Sequence, residues 1–309
     1  MAIIVKDAYF NSSTGTDMIH CVIWEDDSIE KVGVFQIAHG VAEHIMRYDG
    51  FARFLAENGF VVCGNDHLGH GLSVKSIDDL GYFADKNGDV RLVDDMHILH
   101  NIMHKRYPDL PYYLFGHSMG SFCARVYASN FGDELAGVIF CGTGELPSAA
   151  ILGEEPMKLI AEKVNPKMKI PTLSLMGKLT AGKDGDPNDW LSYNKENVEN
   201  YKADPLCGFS LTLAGNRDMI ALMNTACNPD WAKKVPVGLP ILLISGAKDP
   251  VGFNGKGVIN VCDNLELAGH QPEVILYPGM KHEILNEDEK EKVYYDVLGW
   301  IGRKITSKV

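Results

Sequence analysis

No stretch of this sequence approaches the ~18 uninterrupted apolar residues that a membrane-spanning helix needs, so no such span is expected. Basic charge is also scarce: 29 Lys and Arg stand against 41 Asp and Glu, a formal net charge of −12. That balance argues against nucleic acid or an anionic membrane surface as a main partner, since clustered positive charge holds both. The first residues, Met1-Ala2-Ile3-Ile4-Val5-Lys6-Asp7, carry neither a basic leader nor a long apolar segment, so no signal peptide is expected. Paired cysteines are missing too. The seven, at 21, 63, 123, 141, 207, 227 and 262, include no C-x-x-C spacing. Several sit in apolar runs, as Cys63 does in Phe60-Val61-Val62-Cys63, where a free thiol serves as a small hydrophobe. This pattern fits a reducing compartment, and the expected location is cytoplasmic. There is no Gly-x-Gly-x-x-Gly, Walker loop or HExxH pattern, so neither a cofactor nor a metal is expected. Internal repeats and low-complexity tracts are absent as well.

What is present reads as one ordinary globular core. Hydrophobic residues make up 46% and charged residues 23% of the 309, enough for a sizeable core with an insertion. Residues 17–24 and 32–38 read as strands parted by the acidic turn Glu25-Asp26-Asp27-Ser28. A helical pattern over 42–58 closes at Gly59, a strand follows at 60–64, and 89–107 reads as a helix stopped by Pro108. Then come a strand at 112–115, a helix over 118–131 and a strand at 136–141. Alternation of strands with helices of ten or more residues implies α/β architecture, a mostly parallel sheet with helices on both faces. It breaks after Gly144. From 145 to about 207 no strand is evident, only helical pieces such as 156–163 and the polar segment 183–188. It resumes with a strand at 239–245, a helix over 258–268, a strand at 273–277 and a helix from 288 to about 305. The expected organisation is a core of 1–144 and 208–309 with an inserted helical lid at 145–207.

One motif organises the rest. Tyr112-Tyr113-Leu114-Phe115 runs into Gly116-His117-Ser118-Met119-Gly120, and Phe122 onward continues as a helix. Strand, sharp turn and helix is the context in which Gly-x-Ser-x-Gly exposes a serine oxygen at the top of a sheet. A serine hydroxyl needs a base, and the base needs an orienting carboxylate, in the chain order Ser, Asp, His. Asp249, in Gly246-Ala247-Lys248-Asp249-Pro250, follows one strand, and His282, in Met280-Lys281-His282-Glu283, follows the next. Asp263 is the rival acid but falls in a helix. An oxyanion needs backbone donors. Met119, after the serine, and Val41, in the His39-Gly40-Val41-Ala42 loop after an early strand, are the candidates. His97, His100 and His104, with Asp94 nearby, share a helix face and are read as packing rather than as a metal site. His67 and His70 flank Gly69 in a loop.

Five stretches together resemble the α/β-hydrolase superfamily, and within it the monoacylglycerol lipase and lysophospholipase group with its serine-aminopeptidase-like (S33-type) relatives. They are His39-Gly40-Val41-Ala42-Glu43-His44, Asp66-His67-Leu68-Gly69-His70-Gly71-Leu72-Ser73, Gly116-His117-Ser118-Met119-Gly120, Gly246-Ala247-Lys248-Asp249-Pro250-Val251 and Met280-Lys281-His282-Glu283, with Asp204-Pro205-Leu206 at the end of the lid. The resemblance implies an α/β-hydrolase fold and an ester hydrolase. It implies Ser118 as nucleophile, His282 as base, Asp249 as its partner, and Val41 and Met119 as oxyanion donors. In relatives the lid forms a tunnel for one acyl chain. Ile151, Leu152, Met157, Leu159, Ile160, Leu173, Leu175, Met176 and Leu179 could line one here, or pack the lid itself. The expected partner is a small ester or lipid, with at most transient membrane contact through the lid; a homodimer is left open. An amidase or aminopeptidase with the same three residues would want a lid carboxylate such as Glu154, Glu155 or Asp184. A non-catalytic small-molecule binding protein is the remaining alternative.

Overall fold

The computed structural model describes residues 3–145, 164–170 and 185–306. Eight strands form one sheet in the order β1-β2-β4-β3-β5-β6-β7-β8. Central strands β3 (Gly33–Ala38), β4 (Phe60–Asn65), β5 (Tyr112–His117), β6 (Gly137–Cys141) and β7 (Ile241–Gly246) are buried along their whole length. That is why they read as continuous apolar runs rather than as alternating patterns. Pairing from β4 through β3 to β8 (Glu273–Tyr277) is parallel, whereas β2 (Met18–Glu25) runs antiparallel to both β4 and β1 (Ile4–Asn11). The acidic turn after β2 therefore does not make a hairpin. β4 lies between β2 and β3.

Helices cover both faces, each closing an apolar cluster. On one face α1 (Asp49–Glu57) brings Phe51 and Leu55, and α8 (Lys290–Thr306) brings Val293, Val297 and Trp300, against Phe35, Phe115 and Ile139. On the other, α2 (Gly88–Arg106), α3 (Met119–Phe131), α5 (Leu213–Ala226), α6 (Trp231–Lys234) and α7 (Lys256–Leu267) pack on Val34, Leu114, Val138 and Leu243. Two readings of the sequence need correction. The helix expected over 42–58 is a 3-10 turn at Ile45–Tyr48 followed by α1, because Ala42 has φ +54° and cannot start a helix. In the polar segment, residues 187–190 form a turn rather than a helix, led in by Asp186 Oδ1, which accepts from Asn188 N at 2.8 Å across Pro187.

Most of the expected lid, 146–163 and 171–184, lies outside the described residues. So do the nine apolar tunnel candidates and Glu154, Glu155 and Asp184. What is described of that region ends in α4 (Lys195–Ala203), capped by Asn194. Among the described residues, no helix is long and apolar enough to cross a membrane.

Candidate active site

The turn at Ser118 is built by two glycines that have no room for a side chain. A Cβ on Gly116 would stand 2.1 Å from Gly120 O, and one on Gly120 would stand 2.1 Å from Ala38 O. Strand β5, helix α3 and the end of β3 thus touch backbone to backbone. Ser118, between β5 and α3, is forced to φ +52° and ψ −120°, a strained conformation for a residue with a Cβ. Its N–H donates to Cys141 O at 3.0 Å on the neighbouring strand, and its carbonyl accepts from Ser121 Oγ at 2.6 Å.

Asp249 follows β7 and His282 follows β8, so the parallel sheet delivers both to the edge where β5 delivers Ser118. His282 Nδ1 donates to Asp249 Oδ2 at 2.9 Å. The same oxygen accepts from Ser245 Oγ at 3.1 Å, and Asp249 Oδ1 accepts from Val251 N at 2.9 Å. The carboxylate is fully buried, and these donors fix its orientation. His282 Nε2 is buried without a partner among the described residues, and Trp190 lies over the ring at 5.0 Å. Asp263 is exposed on α7. Ser118, His282, Val41, Trp190 and Cys207 share the wall of a cavity of about 400 Å³.

The loop after β3 is held from several sides. His39 Nδ1 donates to Gly40 O at 2.7 Å while its Nε2 accepts from His67 N at 2.9 Å, which fixes a single neutral tautomer. Gly40 N donates to Glu43 Oε1 at 2.6 Å. Across a trans peptide the carbonyl and the next N–H point oppositely, so anchoring Gly40 O also sets the direction of Val41 N–H. Met119, the first residue of α3, has no helical acceptor for its own N–H. Ala42 O accepts from Gly208 N at 2.9 Å and from Tyr201 Oη at 3.0 Å, tying the loop to α4 and the turn behind it.

Behind the site lies a buried charge cluster that the sequence did not reveal. Arg47 donates to Glu43 at 2.7 Å and, through both terminal nitrogens, to Glu283 at 2.6 and 2.7 Å. Burial alone would raise the Glu43 carboxyl, but the His117 hydrogen bond and the Arg47 charge outweigh it and hold it well below the usual carboxylate range. Burial opposes a charge on His117, yet Glu43 and Glu283 raise it above the usual histidine value. His117 packs behind the turn, with Tyr48 Oη at 2.9 Å and His282 O at 3.2 Å from its two ring nitrogens. Apart from the Glu43–Arg47 pair, four residues apart, these partners are 69 to 236 positions apart in the chain, beyond any local pattern.

The histidines of the α2 face and of the loop at 66–71 are packing groups. His97 stacks on Phe131 at 3.8 Å, and His100 on Tyr112 at 4.1 Å with Glu134 Oε2 at 3.3 Å. His67 and His70 are buried beside His39.

A family model described as "Serine aminopeptidase, S33" matches residues 30–289. The chain is 30% identical to the monoacylglycerol lipase of Mycolicibacterium smegmatis, across 90% of this chain and 91% of that one. It is 28% identical to the human monoglyceride lipase, across 93% and 87%. Among solved structures, a thermostable carboxyl esterase from Bacillus coagulans in complex with glycerol superposes with a TM-score of 0.91 at 34% identity, covering 98% and 100%. With an eight-stranded, mostly parallel sheet and a serine on its strained strand-to-helix turn, the chain belongs to the serine aminopeptidase S33 family of α/β-hydrolases and is a carboxylic ester hydrolase.

Proposed function

We propose that this enzyme cleaves carboxylic esters of a single acyl chain, of the monoacylglycerol or lysophospholipid type, through Ser118, His282 and Asp249. The observation that carries the assignment is the His282–Asp249 hydrogen bond of 2.9 Å, with the opposite ring nitrogen unengaged in the cavity that Ser118 faces. Ser118 Oγ attacks the ester carbonyl while His282 Nε2 takes its proton. The tetrahedral oxyanion is held by the N–H groups of Val41 and Met119. Collapse expels the alcohol, protonated by His282, and leaves an acyl-enzyme. A water activated by His282 then releases the acid. Asp249 holds the tautomer and stabilises the imidazolium. No metal or cofactor enters this scheme. The names of the mycobacterial and human relatives favour a glycerol ester, and residues 145–207 are proposed as the lid over the acyl chain.

The test is hydrolysis of p-nitrophenyl esters from C2 to C16 beside 1-monoacylglycerols, lysophospholipids and an aminoacyl anilide. A medium or long optimum with glycerol-ester turnover is expected. Ser118→Ala should lose on the order of 10⁴-fold or more in rate. Full activity in that variant would remove Ser118 from the mechanism, and cleavage of the anilide alone would replace ester by amide as the substrate class.

A further inference from the structure

Three donors of different kinds converge at the edge of the cavity: His44, Asp204 and Cys207, whose ligand atoms all lie within 4.8 Å of one another. They come from two loops that the fold already fastens together. His44 ends the loop carrying Val41, Asp204-Pro205-Leu206-Cys207 follows α4, and Ala42 O joins the two through Gly208 N and Tyr201 Oη. Inside the second loop, Asp204 Oδ1 accepts from Leu206 N at 2.8 Å and Cys207 N donates to Asp204 O at 3.0 Å. One carboxylate oxygen thus shapes the turn and places the thiol. The other faces outward and accepts from His44 Nε2 at 2.8 Å. Because both loops are pinned, capturing a ligand requires little further ordering. The place is reachable: the Asp204 side chain is 30% exposed, and Cys207 is half-buried where the other six cysteines are buried.

One imidazole nitrogen, one carboxylate oxygen and one sulfur form a mixed set that suits a borderline divalent cation, whereas calcium and magnesium favour oxygen alone. We propose that His44, Asp204 and Cys207 bind a zinc-class divalent cation, with water in the fourth position, and that the ion clamps the loop carrying Val41 to the segment after α4. Binding exchanges the His44–Asp204 hydrogen bond for two metal bonds, with the imidazole proton moving from Nε2 to Nδ1 so that Nε2 offers its lone pair. The thiol proton passes to solvent, and no oxidation is involved. This is not a catalytic ion. Cys207 and Ser118 wall the same cavity, so an occupied site draws that wall inward and slows ester turnover.

Titrating the intact protein with Co²⁺ as the probe tests the assignment. One equivalent should give a thiolate-to-cobalt charge-transfer band in the near ultraviolet with four-coordinate bands in the visible, and zinc should displace it. Cys207→Ser should abolish the charge-transfer band, and His44→Ala should weaken binding at least tenfold. No band in the unmodified protein, or a band untouched by Cys207→Ser, would overturn the site and direct attention to the His97/His100 face with Glu134. These spectra do not depend on Ser118 being the nucleophile. Zinc should also lower ester turnover reversibly, with recovery on adding EDTA. Turnover indifferent to zinc while the cobalt band is present would overturn the clamp.

Discussion

Gly120 concentrates the demands of the site into one absent side chain. A Cβ there would meet Ala38 O at 2.1 Å, Ala38 C at 2.6 Å and His39 O at 2.6 Å, all backbone, which cannot rotate away. Gly120→Ala must therefore push α3 off β3 and displace both Ser118 and the loop carrying Val41. We expect a loss of about 3 kcal/mol, as overpacked sites give, and a larger relative loss of kcat than of KM. Urea denaturation and steady-state kinetics would check this, and a variant as stable and active as the parent would refute the packing argument. The same residue explains what could be read in advance. Gly116, Ser118 and Gly120 were legible because steric necessity writes the turn into adjacent positions. Glu43, Arg47 and Glu283 were not, since a buried ion cluster forms only after distant segments have met.

At the scale of elements, that cluster binds three pieces: the loop after β3 and its 3-10 turn through Glu43 and Arg47, α4 through Asn197, and the segment after β8 through Glu283. Removing Arg47 would leave two buried carboxylates facing each other. Arg47→Ala should cost about 3–5 kcal/mol, and adding Glu283→Gln should return part of that, both read from denaturation midpoints. Equal stability of the single and double variants would show that the charges are not coupled. The core elements were legible because buried parallel strands and amphipathic helices carry different periods. Edge strand β1 was missed because it is mostly half-buried or exposed and has no such contrast. Helix α5 was missed because Asn216 and Asp218 share its buried face with Leu222 and Ala226.

For the molecule as a whole, four buried histidines weaken the fold as pH falls. Burial pushes His70 down to about 3 and His100 down to about 4, and lowers His39 and His67 as well. A histidine lowered by folding binds its proton more readily in the unfolded chain. Stability therefore falls as pH drops below about 6.5, by up to about 1.4 kcal/mol per pH unit for each group. His20 has the opposite sign. Burial would lower it, but Asp66 and Asp7 raise it, so its contribution is complete below about pH 6.5 and is lost as pH rises through its higher folded value. Replacing both His70 and His100 by Phe should flatten the decline in Tm between pH 7 and 5. Parallel declines in the two proteins would reject this account.

The pairing of β6 with β7 joins Val138 to Ile241, across a loop on the order of 100 residues whose closure costs about 4 kcal/mol of chain entropy plus a constant. Strands β1 to β6 and the turn at Ser118 all precede that loop. A growing chain can therefore assemble the half that holds the serine while the half that holds Asp249 and His282 is still unmade. We expect the last large step of folding to be the one that brings Asp249 and His282 to Ser118. Enzymatic activity in a refolding experiment should accordingly report the completion of the fold and lag behind the gain of secondary structure.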